Sequence, residues 1–383
     1  MNTKKICLVI TLPTWGGAQK YVYDMAVALS RLGNEITVVA GQGNNTYLLD
    51  NLQSKGIKIR QFSHLVREIS PIHDILCIFE MWRFFKREKF SIVHLNSSKA
   101  GVIGAIAAKM AGIDKIVYTA HGFVFNETVS PVKKNVYIFL EWFSFLFTDE
   151  VITVSNFDYE SVKRLNILKT EKLHVIHNGI SRDEMGILSR EHSREFFQKF
   201  VKSEICHDTL IIGTVSNLYP NKGIAYLIET ARELKDRFNN IVFLVIGDGP
   251  LRSDLQEMIN GYALQDIFYL TGFINNPERY LCGFDMYVSP SVKEGLPYSL
   301  ISASVAGLPI ITTNVGGCGE IIDDNLSGLL VPPANVSIMS QKLTLLLRDN
   351  KLRMSLGLES RKVSDRFSLE IMVKAVEYVY STK

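Results

Sequence analysis

Apolar residues along the chain fall into short runs that alternate between two spacings. "KKICLVITL" near the start is a nearly continuous apolar run, the pattern of a strand covered on both faces. In the next segment, "GGAQKYVYDMAVALSRLG", Ala18, Val22, Met25, Leu29 and Leu32 recur every three or four residues. That is the spacing of one helical face, and Gly33 stands where the helix would stop. "EITVVAG", "FSIVHLN", "KIVYTAHG", "DEVITVS" and "LHVIHNG" read as further strands. The alternation restarts after the polar stretch "SRDEMGILSREHSREFFQKF". "TLIIGTVSN", "NIVFLVIGDGP", "IFYLTGF", "FDMYVSP" and "LPIITTN" are strands, and "GIAYLIETARELKDRF" is an amphipathic helix. Val/Ile-rich strands alternating with helices predict parallel sheets covered on both faces. The pattern predicts two doubly wound α/β domains with a boundary near residue 180.

Composition narrows this reading. With 383 residues and 47% hydrophobic content, the chain can bury two large cores. A net charge of +3 is too small to indicate nucleic-acid binding. The five cysteines (7, 77, 206, 282 and 318) are scattered without a C-x-x-C pair, which fits a reducing cytosol rather than a disulfide framework or thiolate zinc site. The opening lysines and apolar run mimic a signal peptide. The run is short and no small-residue cleavage site follows, so a first buried strand is expected. No stretch has the ~18 uninterrupted apolar residues of a membrane span.

In doubly wound sheets, ligands bind beyond the carboxyl ends of the strands, which directs attention to the loops there. "LPTWGGAQKYV" places Gly16 and Gly17 between strand and helix, where free backbone N–H groups can meet an anion. It is not a dinucleotide fingerprint, because G-x-G-x-x-G is missing and the second strand does not end in the acid that would hold a ribose. "SNLYPNKG" carries Lys222 and Gly223 at a helix start. A lysine there is unfavourable for the helix itself, but it would add a point charge to an anion site. "GDGP" holds Gly247 and Gly249, with Pro250 suited to a first helical turn. In "EGLPYSLISASVAGLPII", Glu294 stands at the mouth of an otherwise uncharged helix. It reads either as a turn acid favoured by the helix dipole or as a group that grips hydroxyls.

Taken together and in this order, "HNGI", "SNLYPNKG", "VIGDGP", "LTGF" and "SVKEGLPYSLISASVAGLPIITTNVGG" resemble the family-4 retaining glycosyltransferases over nearly the whole chain. The resemblance implies the GT-B fold, two Rossmann-like domains facing each other across a cleft. Its expected parts are an acceptor-side domain over 1–180, a nucleotide-sugar domain over 181–365, and a C-terminal helix over 366–383 packing back on the first domain. It implies that Glu294, followed by Gly295 and Leu296, accepts hydrogen bonds from donor-sugar hydroxyls. An ionised carboxylate offers only acceptors, which suits such a ligand. By the same resemblance Lys222 neutralises the diphosphate, and the Gly16-Gly17 loop approaches the phosphates. Gly247, Gly272 and Phe273 belong to the donor site, the last two in the "LTGF" segment where the base is held. His121 of "TAHG" stands beside the reacting sugar, so His121 and Glu294 are the implied catalytic residues.

Two positions depart from the family. Position 302, where a second Glu usually holds the ribose, is Ser302, and Asn217 replaces an Arg that often binds the diphosphate. A hydroxyl and a neutral amide can still bond the donor, without charge assistance. No cofactor is expected. There is no D-x-D for a magnesium-bridged diphosphate, and His174 and His177, three apart on a strand running into a turn, lack an obvious third metal ligand. "PVKKNVYIFLEWFSFLFTDE" and "MWRFFKREKF" mix basic and aromatic residues, as an element at an anionic membrane surface would, or as a core helix with snorkelling lysines would. The expected function is transfer of a sugar from a UDP- or GDP-sugar to a glycan or lipid-linked acceptor in bacterial surface-polysaccharide assembly. The expected location is the cytoplasm, at the inner membrane face. The alternatives are a nucleotide-sugar 2-epimerase of the same fold and a catalytically weak sugar-nucleotide binder.

Overall fold

Two parallel sheets carry the strands of the computed structural model, which describes residues 3–43, 46–127 and 130–382. Met1 and Asn2, at the head of the expected acceptor-side domain, and Lys383, at the end of the expected C-terminal helix, lie outside the described residues.

The first sheet contains β1 (Lys5–Ile10), β2 (Glu35–Gly41), β3 (Lys58–Phe62), β4 (Ile92–Leu95), β5 (Lys115–Ala120), β6 (Glu150–Thr153) and β7 (Leu173–Val175). Their order is β3-β2-β1-β4-β5-β6-β7. The second contains β8 (Leu210–Val215), β9 (Ile241–Ile246), β10 (Phe268–Gly272), β11 (Met286–Ser289), β12 (Ile310–Thr313) and β13 (Leu329–Val331), in the order β10-β9-β8-β11-β12-β13. Both orders reverse direction after a third strand, as in a Rossmann-type sheet, and place a topological switch point between β1 and β4 and between β8 and β11. The chain divides into two units: an N-terminal one through Asn178, joined by the segment from Leu369 onward, and a second from Gly179 to Ser368. Among the described residues no helix is long and apolar enough to cross a membrane.

Each unit has its own core. In the first, Val9, Phe85, Ile103, Tyr118 and Phe123 pack together, and in the second Ile212, Leu227, Phe243, Val288 and Leu343. Central strands such as β9 are buried throughout, which explains their unbroken apolar runs. The polar stretch read as a boundary is not merely a linker. It contains the helix Arg190–Phe197, capped by the Ser189 side chain. The Phe196 ring stacks on Tyr280 at 4.0 Å, and Arg190 and Arg194 both pair with Asp285. Pro250 stands in the turn before the helix Arg252–Gly261 rather than inside its first turn.

The segment after Leu369 forms the helix Leu369–Ser381 and belongs to the N-terminal unit. It packs against the helix Gly17–Arg31. Tyr380 Oη lies 2.7 Å from His94 Nδ1, and Lys115 Nζ donates to Thr382 O at 2.7 Å and to Glu150 Oε1 at 2.9 Å. His174 Nε2 is 2.8 Å from the other oxygen of Glu150, so His174 buttresses this ion pair.

The helix Pro131–Phe145 turns an ordinary amphipathic pattern inside out. Its one acid, Glu141, is buried, while Val136, Phe139 and Trp142 are exposed. Burial pushes the Glu141 carboxyl up to about 7 from an ordinary 4.5, with hydrogen bonds from Ser98 and Tyr118 acting in the opposite direction. The raised value means that the folded state holds a proton which the unfolded state releases between about pH 4.5 and 7. The group's contribution is therefore fully present below about pH 4.5 and is lost as pH rises through 7, a swing of about 3 kcal/mol. Glu141→Gln is expected to melt well above the parent at about pH 8 and together with it at about pH 4.5. Parallel melting curves at both pH values would refute the buried, protonated carboxyl.

Candidate active site

Two loops meet at the switch point of the second sheet. After β8, residues 216–219 lead into a 3-10 turn, Pro220–Lys222, and Gly223 caps the helix Ile224–Leu234. After β11, residues 290–297 lead into the helix Tyr298–Val305. Gly223 sits at φ +66, and a Cβ there would fall 2.1 Å from Pro290 O. Only glycine allows both that conformation and that approach. Val292 N donates to Asn221 O at 2.9 Å, which stitches the two loops together.

This stitching places Lys222 against Glu294. Lys222 Nζ is 2.7 Å from Glu294 Oε1 and 2.8 Å from Oε2, and Ser291 Oγ donates to Oε1 at 2.7 Å. Both side chains are largely enclosed, at 24% and 10% exposure, so the pair is screened less than a surface ion pair. A third loop closes over the acid from behind. Gly316 at φ +53 would place a Cβ 1.9 Å from Glu294 O, and Gly317 N donates to Gly295 O at 2.7 Å. Thr313 Oγ1 donates to Ser291 O, fixing the residue that fixes the carboxylate. The acid is held by three loops before any ligand arrives, the preorganisation that electrostatic catalysis requires.

The other expected donor residues lie in the same unit. Gly247 N donates to Gly272 O at 3.0 Å, joining the ends of β9 and β10. Asn217 is half-buried and turns the loop after β8 by accepting from Tyr219 N. Phe273 is exposed, Gly295 half-buried and Leu296 buried. Ser302 is buried within the helix Tyr298–Val305. That helix begins at Tyr298, four residues after Glu294, and the positive end of its dipole offers an anion a favourable terminus.

In the N-terminal unit, Gly16 caps the helix that begins at Gly17, and Gln19 Nε2 ties that turn to Leu12 O at 2.9 Å. Thr11 Oγ1 and Ser97 Oγ lie 2.6 Å apart, linking the loops after β1 and β4 at this sheet's switch point. His121 follows β5 directly. Its ring packs edge-on against Tyr21 at 4.8 Å, and Nε2 is enclosed without a hydrogen-bond partner among the described residues. Burial pushes the imidazole down to about 3, which leaves it neutral near pH 7. Tyr21 lies 3.4 Å from Thr119 Oγ1, and Thr119 is 2.7 Å from His94 Nε2. His94, Thr119, Ser291, Thr313 and Gly316 escape the sequence reading. Ser291 has a local signal, a serine three residues before a glutamate, but the others become visible only once strands are paired. Among the described residues no group of three His, Cys, Asp or Glu is placed to hold a metal ion.

Residues 15–184 match the model for Glycosyltransferase Family 4, and residues 195–363 match that for Glycosyl transferases group 1. The chain belongs to the family-4, group 1 glycosyltransferases. The glycosyltransferase is 27% identical to the Escherichia coli UDP-Gal:alpha-D-GlcNAc-diphosphoundecaprenol alpha-1,3-galactosyltransferase, over 98% of this chain and 96% of that one. It is 25% identical to the Staphylococcus aureus capsular polysaccharide biosynthesis glycosyltransferase CapM, over 92% and 91%. The crystal structure of Anabaena HepE in complex with UDP and glucose superimposes with a TM-score of 0.85 at 18% identity, covering 99% of this glycosyltransferase and 100% of HepE. That likeness is one of fold, and the two Rossmann-like units are those of the GT-B class.

Proposed function

We propose that this glycosyltransferase moves a sugar, with retention at the anomeric carbon and without a metal, from a nucleotide-sugar to a lipid-linked or glycan acceptor in bacterial surface-polysaccharide assembly. The observation that carries the proposal is the Lys222–Glu294 pair at the switch point of the second sheet. It joins a cation suited to a diphosphate with an acceptor-only group suited to sugar hydroxyls. UDP-sugar donors and diphospholipid acceptors are favoured, because the E. coli relative is named for both. In this reading Lys222 and the N-terminus of the helix Tyr298–Val305 take up the charge of the leaving diphosphate. The neutral His121 offers its free ring nitrogen to the reacting sugar. The acceptor hydroxyl attacks the anomeric carbon from the face that the diphosphate leaves, and the departing phosphate oxygen receives its proton.

The glycosyltransferase is further proposed to work at a membrane surface. The exposed Val132, Val136, Phe139, Trp142 and Leu146, with Lys133 and Lys134 beside them, support this. Incubating purified protein with labelled UDP- and GDP-sugars, with a membrane lipid extract and a chelator, tests the whole reading. Label appearing in lipid is the expected result. Epimerised sugar or free nucleotide without transfer would favour the 2-epimerase reading, and binding without turnover a weak sugar-nucleotide binder.

Ser302 supplies a sharper test of the donor pocket. Ser302→Glu is expected to tighten UDP binding about tenfold, since a carboxylate bonds hydroxyls more strongly than a serine does. It is expected to do less for a 2′,3′-dideoxyuridine diphosphate. Equal or weaker UDP affinity in a variant that still melts normally would show that another residue holds the ribose.

A further inference from the structure

The outer edge of the N-terminal sheet carries a cleft of about 720 Å³ that none of these steps uses. Edge strand β3 contributes Arg60, and the helix Pro71–Glu88 contributes Phe79, Glu80, Arg83, Lys86 and Arg87. Four cations therefore line the cleft against one carboxylate. Arg87 is bound to Glu88 at 3.0 Å. Arg60, Arg83 and Lys86 have no carboxylate within salt-bridge reach among the described residues. Arg60 lies over the Phe62 ring at 5.8 Å and Lys86 over Trp82 at 5.5 Å, contacts that orient a cation without neutralising it.

The same helix shows a second oddity. Cys77, Met81, Phe84 and Phe85 form its buried stripe. On its exposed side Ile72, Ile75, Leu76 and Phe79 are followed, at the same spacing of three or four, by Arg83, Lys86 and Arg87. Cations in a last helical turn are explained by the helix dipole. Four exposed apolar side chains in the first half are not, because a helix facing only water is polar on that side. Ile72 is 73% exposed and Phe79 51%. An apolar surface running into unpaired guanidinium and ammonium groups is complementary to a phospholipid, whose acyl region and phosphate lie side by side.

We propose that this cleft seats the phosphate headgroup of an anionic phospholipid while the apolar half of the helix enters the acyl boundary. The proposal rests on the membrane-surface reading and adds to it the charges that choose the lipid.

The test is co-sedimentation of the full-length protein with vesicles of phosphatidylcholine, alone or mixed equally with phosphatidylglycerol. The parent is expected to prefer the anionic vesicles strongly. Removing three surface cations in Arg60→Gln/Arg83→Gln/Lys86→Gln is expected to weaken that binding about fivefold per cation, on the order of 100-fold in all, and to leave phosphatidylcholine binding unchanged. Ile75→Ser/Phe79→Ser is expected to weaken binding to both. Parental binding of the triple variant to anionic vesicles would overturn the proposal. So would competition by inorganic phosphate beyond that of chloride at equal ionic strength, which would mark a site for free phosphate. Equal retention of the parent on both vesicles would remove the headgroup assignment and leave the membrane reading standing, whereas no retention on either would remove both.

Discussion

Glu294→Gln is expected to lower sugar transfer by about 10²-fold or more, the scale on which a positioned charged contact in an active site acts. The substitution keeps the side chain's shape and one oxygen for Lys222 and Ser291, so the melting temperature should move little. One acceptor oxygen becomes a donor, and a hydroxyl that donated to it meets an N–H₂ instead. If Glu294 grips the sugar mainly as the transition state forms, the loss appears in kcat with the donor KM little changed. Steady-state kinetics of a well-folded variant decides this, and parental kcat would remove Glu294 from the mechanism.

Lys222→Ala is expected to weaken nucleoside diphosphate binding by about 1.5–3 kcal/mol, the range for hydrogen bonds to charged groups. A second effect follows from the direct contact with Glu294. Without Lys222 the carboxylate keeps Ser291 but loses its counter-ion, and it then stands uncompensated beside an approaching diphosphate. Lys222→Ala/Glu294→Gln should therefore bind UDP better than Lys222→Ala alone, a non-additivity expected of groups in contact. Calorimetry with UDP on the parent, both single variants and the double variant measures that coupling. Strict additivity would mean that the two residues act on the ligand independently.

Much of this architecture can be read from residue order, and the failures have physical causes. Strands buried on both faces announce themselves by unbroken Val and Ile, so β1, β2, β8 and β9 are plain. Edge strand β3, "KIRQF", is mostly exposed and has no apolar run to see. β13 is three residues set between Gly328 and Pro332-Pro333, so its short apolar run reads as part of a turn-rich stretch. Lys222 and Glu294 are each conspicuous as charges beside helix starts. Their bond to each other is invisible in sequence, because it depends on β8 and β11 being neighbours and on two loops lying at backbone contact. Gly316 belongs to the same class: a glycine pair after a strand suggests a turn, but not which carbonyl it must clear. Glu141 misleads in the other direction, since a charge within an apolar run suggests an outward face and here points inward.

The helix Leu369–Ser381 completes the N-terminal unit although it is made after all of residues 179–368. On the ribosome, the groove that receives Met372, Val376 and Tyr380 stays open while the whole second unit is synthesised. At about 5–20 residues per second, that wait is on the order of 10–40 seconds. During it His94 and Lys115 lack the partners that Tyr380 and Thr382 later supply, and the apolar side chains lining the groove are open to other chains. The nascent first unit is thus a natural client for chaperones, and premature release before residue 369 should produce aggregates rather than a shortened but folded product.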